Sequence, residues 1–250
     1  CPTVADAAIR GSATARTGTR RSTYSLSASG ATAITWQITA PDGTAYTAFS
    51  GQGTSSIKVN WPDQPEIYKV SVSYSAKEGC PARETVTYVH VFEEEAGFVT
   101  GGGWTNTPVK PEYELMQQAG RTWWAFGARY KEKAGDRAQG TLLLVLEGGQ
   151  AFRATSVTDG SLVIAENRAY FTGTGRLTRR ATAGGLETDP RRLAFLVSAT
   201  DVDFRSGKGK PGNGKDRLRL VIWQVNENGS KGEVLYDNQL TCNPDLNAAA

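Results

Sequence analysis

Apolar and polar side chains alternate with a period of two through most of residues 23–92, the spacing expected where one face of each strand is buried and the other is wet. Tyr24 and Leu26 alternate with Ser25 and Ser27, Ile34, Trp36 and Ile38 with Thr35 and Gln37, and Ile57, Val59 and Trp61 with Lys58 and Asn60. Tyr68, Val70, Val72 and Tyr74 carry the pattern on, and a last strand is predicted over 85–92. Turn chemistry separates these runs: Pro41-Asp42-Gly43, Gly51-Gln52-Gly53, and Gly79 next to Pro81. Six or seven short strands with a mid-domain Trp predict an immunoglobulin-like sandwich.

Glu93, Glu94 and Glu95, followed by Ala96-Gly97, interrupt the alternation and read as a solvated acidic hinge, with a cation site as the alternative. Beyond it, strand-like segments run over 122–130, 141–146, 151–157, 161–165, 169–174, 192–199, 217–225 and 233–236, which predicts a β-meander. The best helical stretch is 111–120, PEYELMQQAG, with Pro at its start and Gly at its end. Asn228-Gly229-Ser230 reads as a hairpin turn, and the Gly-rich TAGGLETDP stretch as a mobile loop among Arg176, Arg179, Arg180, Arg191 and Arg192.

A length of 250 residues suits two cores better than one, so the expected organisation is a first domain over 1–93 and a second over 97–245, both all-β, the second an antiparallel sandwich or partly open barrel. The 28 basic and 25 acidic residues leave a formal charge of +3, too small to argue for nucleic acid or a membrane surface. The longest aliphatic run, residues 142–146, is far short of the roughly 20 residues that span a bilayer. No charged-then-apolar leader stands at the start, so a leader is expected to have been removed or the chain to be a piece of a longer protein. Cys1, Cys80 and Cys242 lie far apart, with no CxxC pair and a single His90, a composition that favours a disulfide over a zinc site. His90 lies in the alternating register of Val86, Tyr88 and Phe92 and is expected to be structural.

The run from Tyr24, YSLSASGATAITWQITAPDG, with SGQGTSSIKVNW and YKVSVSYSAKEGCPA, resembles the PKD-like repeats of Bacteroidota surface proteins, modules that act as spacers. The resemblance implies a sandwich whose first strand starts near the turn of the last two, and hence a Cys1–Cys80 bridge closing a loop of about 80 residues. A lipidated Cys1 is the competing reading. GFVTGGGW, TLLLVLEGGQAFRATS, AYFTGTGRL and the closing SATDVDF, DRLRLVIWQVN and GEVLYDNQ segments together resemble a post-COAP-like C-terminal module of secreted bacterial proteins. Both resemblances imply an extracellular or cell-surface location.

Two constellations are candidates for chemistry. Asp201 and Asp203 project from one strand face, Asp216 can return beside them, and with Asn213 they form an oxygen set suited to calcium. Arg205, Lys208, Lys210 and Lys215 in the intervening loop can neutralise the same carboxylates, and surface ion pairs are the commoner use of such residues. Trp123 and Trp124 are adjacent and so face opposite sides of a strand, leaving one free to form a platform for sugar rings with Trp104 or Tyr130. The bland alternative is that the second Trp packs under a loop or against the first domain. No GxSxG elbow, HExxH, Walker loop or dinucleotide fingerprint occurs in a fitting context, and the scattered carboxylates single out no glycosidase pair. The expectation is therefore a non-enzymatic extracellular spacer and contact segment of an adhesin or fibre, with a carbohydrate-binding module of a secreted hydrolase as the alternative. The implied partners are a cell-surface or matrix component, a glycan, or neighbouring copies of the same protein.

Overall fold

The computed structural model describes residues 7–76, 79–93, 97–130, 137–181, 184–201 and 216–239. It is essentially all-β. The chain divides into two compact units, Cys1–Glu93 and Glu94–Ala250.

The first unit holds β1 (Ile9–Arg10), β2 (Thr14–Arg16), β3 (Ser22–Leu26), β4 (Thr32–Thr39), β5 (Phe49–Ser50), β6 (Ser56–Val59), β7 (Glu66–Ser75) and β8 (Ala82–Phe92). One sheet runs β1-β3-β6-β5 and the other β2-β8-β7-β4, so the opening segment crosses from one sheet to the other and β2 pairs parallel to β8. This is the arrangement of an immunoglobulin-type sandwich. The inward positions read from the alternation, Tyr24, Leu26, Trp36, Ile38, Ile57, Val59, Trp61, Val70 and Val72, form one core. Trp61 is fully buried and stacks on Tyr46, with Tyr24 edge-on to it. Trp36 donates its indole N–H to the Thr54 carbonyl (2.8 Å). Gln52 substitutes for a strand neighbour: its Oε1 accepts from the Trp36 backbone N (2.7 Å), and its Nε2 donates to the Trp36 carbonyl (2.9 Å). Gly51 and Gly53 hold positive φ on either side of it, and a Cβ on Gly51 would stand 2.4 Å from the Ser56 carbonyl oxygen.

The second unit holds β9 (Phe98–Thr107), a 3-10 turn (Glu114–Met116), β10 (Gly120–Tyr130), β11 (Ala138–Leu146), β12 (Ala151–Val157), β13 (Val163–Ala165), β14 (Arg168–Arg180), β15 (Leu186–Thr188), β16 (Leu193–Thr200), β17 (Arg217–Val225) and β18 (Lys231–Asp237). They make one antiparallel meander, β9-β10-β11-β12-β14-β16-β17-β18, with β13 and β15 also paired to β14. The sheet curls into a half-barrel. The curl brings Thr107 at the end of β9 to Tyr236 of β18, and Lys110 donates to the backbone carbonyls of Asp237 and Gln239.

Inside the curl a ladder of rings, Trp124, Phe126, Phe171, Phe195 and Phe152, runs at centroid spacings of 5.8–5.9 Å. Glycines make room for it. A Cβ on Gly101 would lie 2.7 Å from Phe126, on Gly103 3.0 Å from Trp124, on Gly173 2.7 Å from Phe195 and on Gly175 2.3 Å from Phe152. The glycine run of GFVTGGGW is therefore an edge strand whose inner face is filled by its neighbour's aromatics. β16 lacks alternation because both its faces are covered: every residue from Leu193 to Ser198 is buried.

Two local expectations change. Of 111–120 only Glu114–Met116 is helical, a single 3-10 turn with Leu115 and Met116 buried and Tyr113 extended, too short to propagate as an α-helix. Within TAGGLETDP, Leu186–Thr188 pairs with Thr178–Arg180, with Gly184 and Gly185 at positive φ in the turn. The Asn226–Ser230 turn joins β17 to β18, with Gly229 at φ +82°. His90 is buried in β8. Cys80 is disulfide-bonded, while Cys1, its expected partner, and Cys242 lie outside the described residues. Among the described residues no helix is long and apolar enough to cross a membrane.

Candidate functional site

The register of the second unit sorts its chemistry into an inner groove and an outer face. Trp123 pairs directly with Trp104 across β10 and β9, and both lie on the outer face, 42% and 55% exposed. The Arg121 guanidinium, from the same face, lies 4.2 Å from the Trp104 ring centroid and 6.0 Å from that of Trp123, within cation–π range of both. Val145 of β11 stands beside Trp123 by register and extends the apolar strip. The Arg121 backbone N donates to Glu147 Oε2 (2.6 Å), which fixes the start of β10 against the β11–β12 turn. Beside Arg121 opens a polar cleft of about 610 Å³ lined by Gln117, Gln118, Glu147 and Gln150 among others. Flat rings exposed beside a guanidinium are a combination that can stack on a pyranose and hydrogen-bond its hydroxyls.

The other two aromatics of the expected platform are elsewhere. Trp124, one residue on, points inward, stacks on Phe126 and lines the groove. Tyr130 is buried, with its hydroxyl donating to the Leu162 carbonyl (2.6 Å).

The inner groove, of about 460 Å³, opens at the end of the curl where β16 stops and β17 begins. Trp124, Phe126 and Gly101 form its apolar side, and Glu166, Asn167, Arg168, Asp201, Asp216 and Arg217 its polar rim. Thr200 pairs with Arg217, so Asp201 and Asp216 flank the last register pair of the β16–β17 ladder, as a returning hairpin requires. Asn167 grips Asp201 through two backbone-directed bonds, its carbonyl accepting from the Asp201 N (2.8 Å) and its Nδ2 donating to the Asp201 carbonyl (3.0 Å). Asp203 and Asn213, the remaining members of the calcium set, lie outside the described residues. Among the described residues no group of three or more His, Cys, Asp or Glu side chains is placed to hold a metal.

An ion network sits at the opposite end of the curl. Arg179 and Arg191 both bind Asp189 (2.9 and 2.6 Å) and Glu114, the Arg191–Glu114 contact at 2.8 Å. The Arg191 guanidinium holds the Asp189 carboxyl down at about 2 and, with Arg179, the Glu114 carboxyl below its usual range. These carboxylates are kept ionised and occupied, the opposite of what a catalytic acid needs. Sequence reasoning placed Arg179 and Arg191 beside a loop but missed Glu114, 65 residues before Arg179; the signal was Glu114 at the start of an apolar turn too short to be a helix.

No protein-family model matches the chain, and no curated protein matches it.

Proposed function

We propose that this chain is a non-enzymatic extracellular adhesive segment, in which a PKD-like sandwich acts as spacer and the post-COAP-like second unit binds carbohydrate through the Trp104–Trp123 face. The observation that carries the reading is the direct cross-strand pairing of two large, substantially exposed tryptophans on the outer sheet face, held by Arg121. Burying such rings against water is favourable by their area alone, so leaving two side by side in solvent points to a partner that covers them. A pyranose presents an apolar ring face of matching flatness. The Glu114 and Asp189 carboxylates, held down by Arg179 and Arg191, are poorly suited to act as a general acid.

The test is affinity electrophoresis of the whole chain through gels containing individual polysaccharides. Retardation by at least one, weakened about tenfold in Trp104→Ala and Trp123→Ala and unchanged in a Val86→Ala control in the first unit, is the expected result. Absence of retardation by any polysaccharide, or retardation indifferent to both tryptophans, overturns it.

A further inference from the structure

From the same face we infer that the carbohydrate is polyanionic, a uronate or sulfated glycan, recognised by arginines aligned beyond the two tryptophans. The inference rests on the carbohydrate reading above and adds the charge of the ligand.

Register defines the face. Arg121, Trp123, Ala125 and Arg129 alternate outward along β10; Leu143 and Val145 follow on β11, Arg153 on β12, and Arg176 and Arg180 on β14. All five arginines are exposed. None is in an ion pair among the described residues, where Arg179, Arg191 and Arg219 are. Glu147, at the start of the β11–β12 turn, accepts from the Arg121 backbone N. A chain with a formal charge of only +3 thus places on one side of one unit five arginines that have no ion-pair partner among the described residues, although Arg129 donates to the Gln139 amide oxygen.

Arg153 and Arg176 are the telling pair. They are directly opposite in the β12–β14 ladder, which puts the roots of two like-charged side chains within about 5 Å. Such a pairing disfavours the free protein. An anionic group between the two guanidinium forks converts that repulsion into charge-assisted hydrogen bonds. Immediately beside Arg176 lies a trough of about 460 Å³ lined by Thr155, Thr174, Thr188 and Arg192, so hydroxyl donors flank the cations; its carboxylate, Asp189, is already held by Arg179 and Arg191. A duplex nucleic acid fits less well, because the face offers neither a helix nor a projecting ribbon to a groove.

The experiment uses the whole chain and matched polysaccharides: dextran against dextran sulfate, and methyl-esterified polygalacturonate against its free acid, with duplex DNA as a further polyanion. Expected is binding to a charged member at least tenfold tighter than to its neutral match, weakened roughly tenfold in Arg153→Gln/Arg176→Gln and again in Trp123→Ala. The sulfate and carboxylate arms distinguish the source of the charge. The arginine double variant keeps or raises its melting temperature, since it removes a repulsion, so lost binding is not lost folding. Equal binding to neutral and charged members leaves the carbohydrate reading standing and overturns the anionic one. Binding to none overturns both. Duplex DNA binding as tight as the glycan and insensitive to Trp123→Ala overturns the inference in favour of plain polyanion attraction.

Discussion

At the scale of single residues, the positions that shape this molecule include several with no side chain. Gly101, Gly103, Gly173 and Gly175 line the inner face opposite Phe126, Trp124, Phe195 and Phe152, while Gly102, on the outer face, meets nothing closer than 3.6 Å. Gly175→Ala and Gly101→Ala are expected to destabilise the second unit by ~1–3 kcal/mol through overpacking, and Gly102→Ala to stay within ~0.5 kcal/mol, as read by urea denaturation. Gly175 should be the worse site, because its Cβ would also lie 2.6 Å from the Arg153 carbonyl oxygen, and backbone yields less than a ring edge. Gln52→Ala should cost ~1–3 kcal/mol, since it strips partners from the backbone N and carbonyl of Trp36 on β4. Period two made the opposite fates of Trp123 and Trp124 legible in the sequence. The glycine-to-ring matches were not, because they are cross-strand relations that depend on register rather than on neighbours in the chain.

At the scale of elements, the alternating strands of the first unit could be read directly, and β16 shows why alternation sometimes fails: a strand covered on both faces has no wet side to record. The stretch 111–120 has the punctuation of a helix, but its length allows one turn, and its apolar pair is used to seat that turn beneath the curl. The arginines around TAGGLETDP divide by side. Arg176 and Arg180 face out, and Arg179 and Arg191 enter the network with Asp189 and Glu114. Asp189 has a folded value of about 2 against the usual 3.8, so its contribution to stability is fully present above about pH 4 and is lost as pH falls toward 2; Glu114 shifts in the same direction. Stability measured between pH 5 and 2 should therefore fall more steeply in the native chain than in Asp189→Asn. Equal slopes would remove the network from the acid response.

At the scale of the whole molecule, the two units each own a core, which predicts that residues 1–93 expressed alone retain a cooperative thermal transition and a β-type far-ultraviolet spectrum. The order of strands within each unit carries a kinetic consequence. Along the meander's main path each strand pairs with one close in the chain, so its ladder can stand before the long closure of Thr107 and Lys110 onto Tyr236 and Gln239, whereas the first unit must bring Thr14–Arg16 beside residues 90–92 to complete its sheet. Loop closure over such a span has to be met before its contacts are gained, which slows the search. Refolding followed by tryptophan fluorescence should resolve into a faster phase reported by Trp124 and Trp223 and a slower one reported by Trp36 and Trp61, so that during synthesis the half made first is not the half that finishes first.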